Sequence, residues 1–204
     1  MKKIIFTFVL VVVCTALSAK SPKPDELCAA LNGLYEVDGS EIVIQRVIEL
    51  KDMSKSDIYL QVQEYINKTY RDANSVIQIE DKEAGKIVAK GCYQFRVNES
   101  FALSALLFTS WHVFKAEIKE GKVRITISSE NTEYEQSASQ YSSYRKVNCA
   151  LVKCYPIQDP GAYFLKHLDG YIFYHSVLHM INQMTDVDEY LQKAQKKSST
   201  NEDW

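Results

Sequence analysis

His175-Ser-Val-Leu-His179 is the only spacing in this 204-residue chain that resembles a metal-ligand pair. On a helix, residues four apart lie on one face, so two imidazoles there can reach a single metal ion. The Glu that zinc peptidases place directly after the first His is absent, because Ser176 follows His175. His167 falls near the same side if the helix runs unbroken through Gly170. The competing expectation is that His175 and His179 flank an apolar stripe and hydrogen-bond or meet water. Two carboxylate groups, Asp186/Asp188/Glu189 and Glu130/Glu133/Glu135, have the composition that paired-carboxylate glycosidases use. Acidic residues at a helix start are explained more simply by the macrodipole, and those in a polar loop by solvation. Tyr134, Tyr141 and Tyr144, followed by Tyr155 and Tyr163, are a third candidate. Tyrosines gathered in one region are common anchors for sugars and proteins, although they also pack as an ordinary sheet rim.

Other chemistries find no support. The chain lacks a Gly-x-Ser-x-Gly elbow and a Gly-x4-Gly-Lys phosphate loop, and has only 7 Gly in all. With 24 basic against 26 acidic residues it has none of the positive excess that nucleic-acid binding normally needs. No cofactor motif is present.

The cysteines depend on where the chain resides. Lys2 and Lys3 precede an apolar run from Ile4 to Leu17, and Ala16-Leu-Ser-Ala19 then offers small residues for cleavage. The run falls short of the roughly 20 residues a spanning helix needs, so a cleaved export signal over residues 1–19 is expected, with no transmembrane anchor afterwards. Cys14 follows Val11-Val12-Val13, which lacks the small residue expected before a lipidated cysteine. Cleavage removes Lys2 and Lys3 from the 24 basic residues and leaves a net charge of −4. It also leaves Cys28, Cys92, Cys149 and Cys154, an even number that permits two disulfides in three connectivities. Val147 to Tyr155 reads as a strand. That would hold Cys149 and Cys154 roughly 17 Å apart and direct any bridge to Cys28 or Cys92. Four buried thiols are the alternative. Zinc is poorly served, because Cys-x4-Cys has no second pair at usual spacing.

The elements that must position these residues follow from periodicity. Asp25 to Asn32 suits a short helix ended by Gly33, within an N-terminal segment 20–34. Ile42 to Leu50 alternates as a strand, interrupted on its apolar face by Arg46. Ser54 caps a helix expected over 55–71, with Ile58, Val62, Tyr65 and Ile66 on one side. Strands are expected at 76–80 and 87–95, around a turn at 81–85. Phe101 to Trp111 is apolar throughout, so periodicity does not separate strand from short buried helix. Phe114/Ala116/Ile118 and Val123/Ile125/Ile127 alternate on either side of Glu120-Gly121, which predicts a hairpin. Residues 134–146 read as an exposed Ser/Tyr-rich loop, and 147–197 as a strand and an amphipathic helix. In that helix Phe173, Val177, Met180, Met184, Val187 and Leu191 form the stripe, with a possible restart at Thr185–Asp188. A polar tail, frayed from about Lys193, ends the chain at 198–204.

Gln45-Arg-Val-Ile-Glu49, the Ser54–Thr69 helix, Gly85-Lys-Ile-Val-Ala-Lys-Gly91 and Ile118-Lys-Glu-Gly-Lys-Val-Arg-Ile125 carry a family likeness. Over about Tyr35 to Glu133 the chain resembles a family of exported bacterial domains of unknown function with a TATA-binding-protein-like (TBP-like) fold. The resemblance implies an α+β domain with an antiparallel sheet and helices packed on one face, here with a C-terminal helical extension. It also implies a Gram-negative source with a periplasm. The family assigns no catalytic residues, so none carries over.

These readings favour a non-catalytic module, periplasmic or elsewhere in the cell envelope, that binds an envelope protein or a small ligand such as a glycan. The alternative is an envelope hydrolase, metal-assisted through His175 and His179.

Overall fold

The computed structural model describes residues 22–70, 73–97, 106–137, 144–156 and 163–198. The expected signal segment, Tyr141 and the tail beyond Ser198 lie outside them. The helices are α1 (Pro24–Ala29), α2 (Lys55–Thr69), α3 (Ala73–Val76), α4 (Leu151–Cys154) and α5 (Tyr163–Ser198). The strands are β1 (Glu36–Asp38), β2 (Glu41–Glu49), β3 (Ile77–Asp81), β4 (Lys86–Phe95), β5 (Phe108–Lys119), β6 (Lys122–Ser129), β7 (Asn131–Ser137) and β8 (Tyr144–Ala150). They form one antiparallel sheet in the order β1-β2-β6-β5-β4-β3, with β7 pairing both β5 and β8.

One face of this sheet carries the core. Ile42, Ile44 and Ile48 of β2, Ile125 and Ile127 of β6, Phe114 and Ala116 of β5, and Ile87 and Ala89 of β4 are buried there. Their register places them side by side, Ile44 opposite Ile127, Ala116 opposite Ile125, and Ala89 opposite Phe114. Helices α2 and α5 cover this face, with Ile58, Val62 and Ile66 from one and Val177, Met180, Met184, Val187 and Leu191 from the other. Arg46, which breaks the apolar alternation of β2, reaches Asp188 of α5 at 2.8 Å. The fold is α+β, an antiparallel sheet with helices on one face and a long C-terminal helix, as expected. Among the described residues no helix is long and apolar enough to cross a membrane.

Local signals place the first elements. The Ser54 hydroxyl accepts the Asp57 backbone N–H at 3.1 Å and starts α2. Gly121, at φ +68°, closes the β5–β6 hairpin in a conformation that other residues adopt only with strain. The apolar run ending at Trp111 resolves into strand from Phe108 onward.

Three expectations change. The loop expected over 134–146 is entered from both ends by paired strands, β7 reaching Ser137 and β8 starting at Tyr144, with Tyr134 opposite Val147. The strand expected over 147–155 ends at Ala150 and turns into α4. At that point the Leu151 N–H leaves the ladder and bonds to the Glu130 carbonyl at 2.9 Å. The strand-length argument separating Cys149 from Cys154 therefore lapses. Helix α5 runs unbroken for 36 residues, roughly 54 Å, through both Gly170 and Thr185 and on to Ser198. Gly170 is there for packing, since a Cβ on it would stand 2.6 Å from Pro24 of α1. Thr185 does not start a new cap, because its hydroxyl donates to the Ile181 carbonyl one turn back at 3.1 Å.

The β6–β7 junction matters most for the opposite face. Val113 pairs with Ser128 and Ser110 with Thr132, so two residues of β5 face three on the other side. That is a β-bulge, which bends the strand and increases its twist. Here β6 loses its outer neighbour β2 at Ser129, and β7 acquires β8 at Asn131. The sheet is left with a notch between Glu41 and Asn131.

Candidate functional site: the open sheet face at Trp111

On the helix-covered side, Tyr70, Tyr93, His112 and Gln183 form a continuous hydrogen-bonded chain. Tyr93 donates to the Gln183 Oε1, Gln183 Nε2 donates to the Tyr70 hydroxyl at 2.8 Å, and Tyr70 lies 2.7 Å from His112 Nε2. With Tyr70 already accepting from Gln183, its own proton goes to His112, which fixes a neutral imidazole with Nε2 as acceptor. His112 is 1% exposed, and burial, reinforced by nearby His179, pushes its pKa down to about 4. Burial likewise raises the Tyr93 phenol well above its ordinary value.

The two candidate metal ligands belong to this layer. His179 stacks on Tyr93 at 5.0 Å and 13°, while His175 packs against Phe95 at 5.3 Å. The first ring is nearly parallel to its partner and the second is tilted by 32°. Among the described residues no three His, Cys, Asp or Glu side chains converge on a possible ion. His167 sits beside Tyr171, with ring centres 6.5 Å apart.

The tyrosines also change role. Tyr134 is 7% exposed and packs against Phe108 at 5.4 Å, on the covered side of β7, so it is no loop anchor. Tyr144 opens β8, with its side chain outside the described ones, as is all of Tyr141. Asp186, Asp188 and Glu189 lie in the middle of α5, not at its start, so the macrodipole does not explain them.

Among the described residues Cys28, Cys92, Cys149 and Cys154 are free thiols. Burial raises Cys28 to about 12 and Cys149 to about 11, and lifts Cys154 further. Cys92, facing outward from β4, is the exposed one. Iodoacetamide on the native protein should therefore modify Cys92 alone at first, with Cys28 and Cys154 reacting only after denaturant is added. Peptide mapping of the labelled sites checks this. Early labelling of Cys154 would contradict its placement beneath α5.

The opposite face of the sheet is uncovered by the described helices, and Trp111 stands on it. Register explains this. Phe108, Ser110, His112 and Phe114 point to the core, so Trp111 between them points away. Its indole N–H donates to Glu133 of β7 at 2.9 Å, and that carboxylate pairs with Lys146 of β8 at 2.5 Å. Lys90 of β4 places its ammonium 5.8 Å from the indole centre. Bonds to Lys146 and Trp111 hold Glu133 below the usual carboxylate pKa, so it serves as an acceptor and not as a proton donor. Beside Trp111 the notch opens as a cleft of about 500 Å³, bordered by Glu41, Ser128, Glu130 and Asn131. A second hollow of about 320 Å³ lies on the other side, bordered by Gln94, Thr109 and Glu135. Periodicity had given Trp111 no role beyond closing an apolar run. Its signal was a large aromatic at an outward position of a strand.

Residues 45–133 match DUF4468, a domain of unknown function with a TBP-like fold. Two solved structures are similar to this chain. A TBP-like protein from Parabacteroides distasonis superposes with a TM-score of 0.56 at 12% identity, covering 77% of this chain and 96% of that one. A DUF4468 family protein from Bacteroides ovatus gives 0.49 at 11% identity, covering 77% and 91%. Comparison with curated proteins gives no match. At such identities the first superposition speaks for the fold alone. The strand and helix signatures around Gln45, Ser54, Gly85 and Gly121 thus fall within the residues, 45–133, that match the DUF4468 model, and the fold is TBP-like.

Proposed function

We propose that this protein is a non-catalytic binding module of the bacterial cell envelope that takes its ligand on the open sheet face at Trp111. The observation that carries the reading is the indole itself. A large amphipathic ring stands on a face that no described helix covers, fixed at its edge by Glu133 and flanked by two hollows. Aromatic residues held in this way are typical anchors of recognition surfaces. The groups around it vary in charge and hydrogen-bonding type. Export is supported by Lys2, Lys3 and the apolar run that ends before Ala19. The hydrolase alternative through His175 and His179 would need a further ligand, and among the described residues no three His, Cys, Asp or Glu side chains converge.

A photo-cross-linking residue placed at Thr109, beside the intact indole, tests both parts in native cells. The ligand or partner should be captured there and not from Leu60, an exposed position on α2 at the far side of the sheet. The captured protein should begin at Lys20 and fractionate with the envelope. Equal capture from both positions would remove the open face as the binding surface. A cytoplasmic protein retaining Met1 would remove the envelope assignment.

A further inference from the structure

We infer that the Trp111 face binds a neutral oligosaccharide, one pyranose ring stacking on the indole and its neighbours occupying the hollows on either side. This deepens the binding reading above and rests on it.

Three observations converge. The first is the orientation of the platform. Glu133, itself paired with Lys146, holds the indole edge, while the Lys90 ammonium stands 5.8 Å from the ring centre. A ring fixed before the ligand arrives loses little freedom on binding. Its electron-rich face attracts the weakly positive C–H groups of a sugar as it attracts the ammonium.

The second is the shape. The hollows of about 500 and 320 Å³ both include Trp111, Glu133 and Lys146 in their walls, so the indole stands at their junction. The larger falls within the roughly 300–1,000 Å³ of small-molecule sites. A ligand spanning both must be linear, and its units must each offer polar groups. Linked pyranose rings meet that description.

The third is the charge. Glu133 and Lys146 offset one another, which leaves Glu41, Glu130 and Glu135 against Lys90. This excess of carboxylate repels phosphates, nucleic acids and acidic peptides. A lipid chain would desolvate those carboxylates without giving them a partner. Sugar hydroxyls donate to carboxylates and accept from Ser128, Asn131, Gln94 and Thr109, without requiring an ion on either side.

The test uses the purified protein with Trp204→Phe, so that of the two tryptophans only Trp111 reports. Its emission is followed against a panel of neutral tetrasaccharides that includes chitotetraose and cellotetraose, and against trilysine and tripolyphosphate. A saturable shift is expected with a tetrasaccharide, about tenfold or more tighter than with its monosaccharide. The affinity should hold when salt is raised to about 0.5 M, where screening would weaken an ionic ligand. By calorimetry Trp111→Ala should lose about tenfold or more, and Trp111→Phe less. Salt-sensitive saturation by trilysine or tripolyphosphate, with no tetrasaccharide response, would overturn the sugar assignment and leave the binding module standing. Silence from every probe would overturn both.

Discussion

Gly91→Ala should destabilise the protein by about 3 kcal/mol, although its backbone lies outside the left-handed region that favours glycine. A Cβ at that position would stand 2.3 Å from Tyr70 Cε1, well inside van der Waals contact. Tyr70 ends α2 in an extended conformation and lays its ring across β4 at Gly91, which is paired with His112 on β5. The missing side chain is therefore the hollow that lets Tyr70 reach His112 Nε2. Crowding a packed site of this kind typically costs about 1–3 kcal/mol. Displacing Tyr70 also strips buried His112 and Gln183 of a partner, for about 1–3 kcal/mol more. Without the clash, Ala in place of Gly in a strand would be neutral or slightly stabilising. Urea unfolding should show a lower midpoint at unchanged slope. Adding Tyr70→Ala to Gly91→Ala should then cost much less than the two separate losses combined. A near-neutral single variant would show that Tyr70 lies elsewhere.

The uneven legibility of this chain has a physical origin. Helix α2, the β5–β6 hairpin and the α5 stripe could be read because Ile58, Ile125 and Val177 repeat at the period of their own element. Strand β7 could not, because its inward residues are Thr132 and Tyr134 instead of aliphatic ones, and β8 was legible only from Val147 onward. Thr132 is tolerated at full burial only through Ser176 on α5, whose hydroxyl lies 2.9 Å away. A partner 44 residues distant leaves no local trace in the sequence. The site was hidden for the same reason. Lys90, Trp111, Glu133 and Lys146 come from four different strands, and only the bulge at the β6–β7 junction and the resulting register bring them together. His175 and His179, by contrast, were conspicuous because they are close in sequence. Local spacing of that kind is as well explained by a helix packing on Phe95 and Tyr93.

Acidification should weaken the fold well before the carboxylates titrate. His112 is held neutral, with its pKa near 4 against 6.5 for a free imidazole, and Nε2 already occupied by the Tyr70 proton. The unfolded chain therefore binds this proton first. The stabilisation is complete above pH 6.5 and is lost as pH falls toward 4, by up to about 1.4 kcal/mol per unit and about 3 kcal/mol in total. His179, lowered by burial, acts in the same direction. Glu117 and Glu133 are lowered from 4.5, so their contributions are lost only below that value. Asp169, raised above 3.8 by burial, works the other way and partly offsets the loss. His112→Gln separates these effects, since its amide oxygen can still accept from Tyr70 but takes up no proton. The variant should be less stable at pH 7, yet its urea midpoint should fall less steeply than the parent's between pH 6.5 and 5. Parallel slopes would mean that His112 titrates freely and that the buried chain through Tyr70 and Gln183 does not hold it neutral.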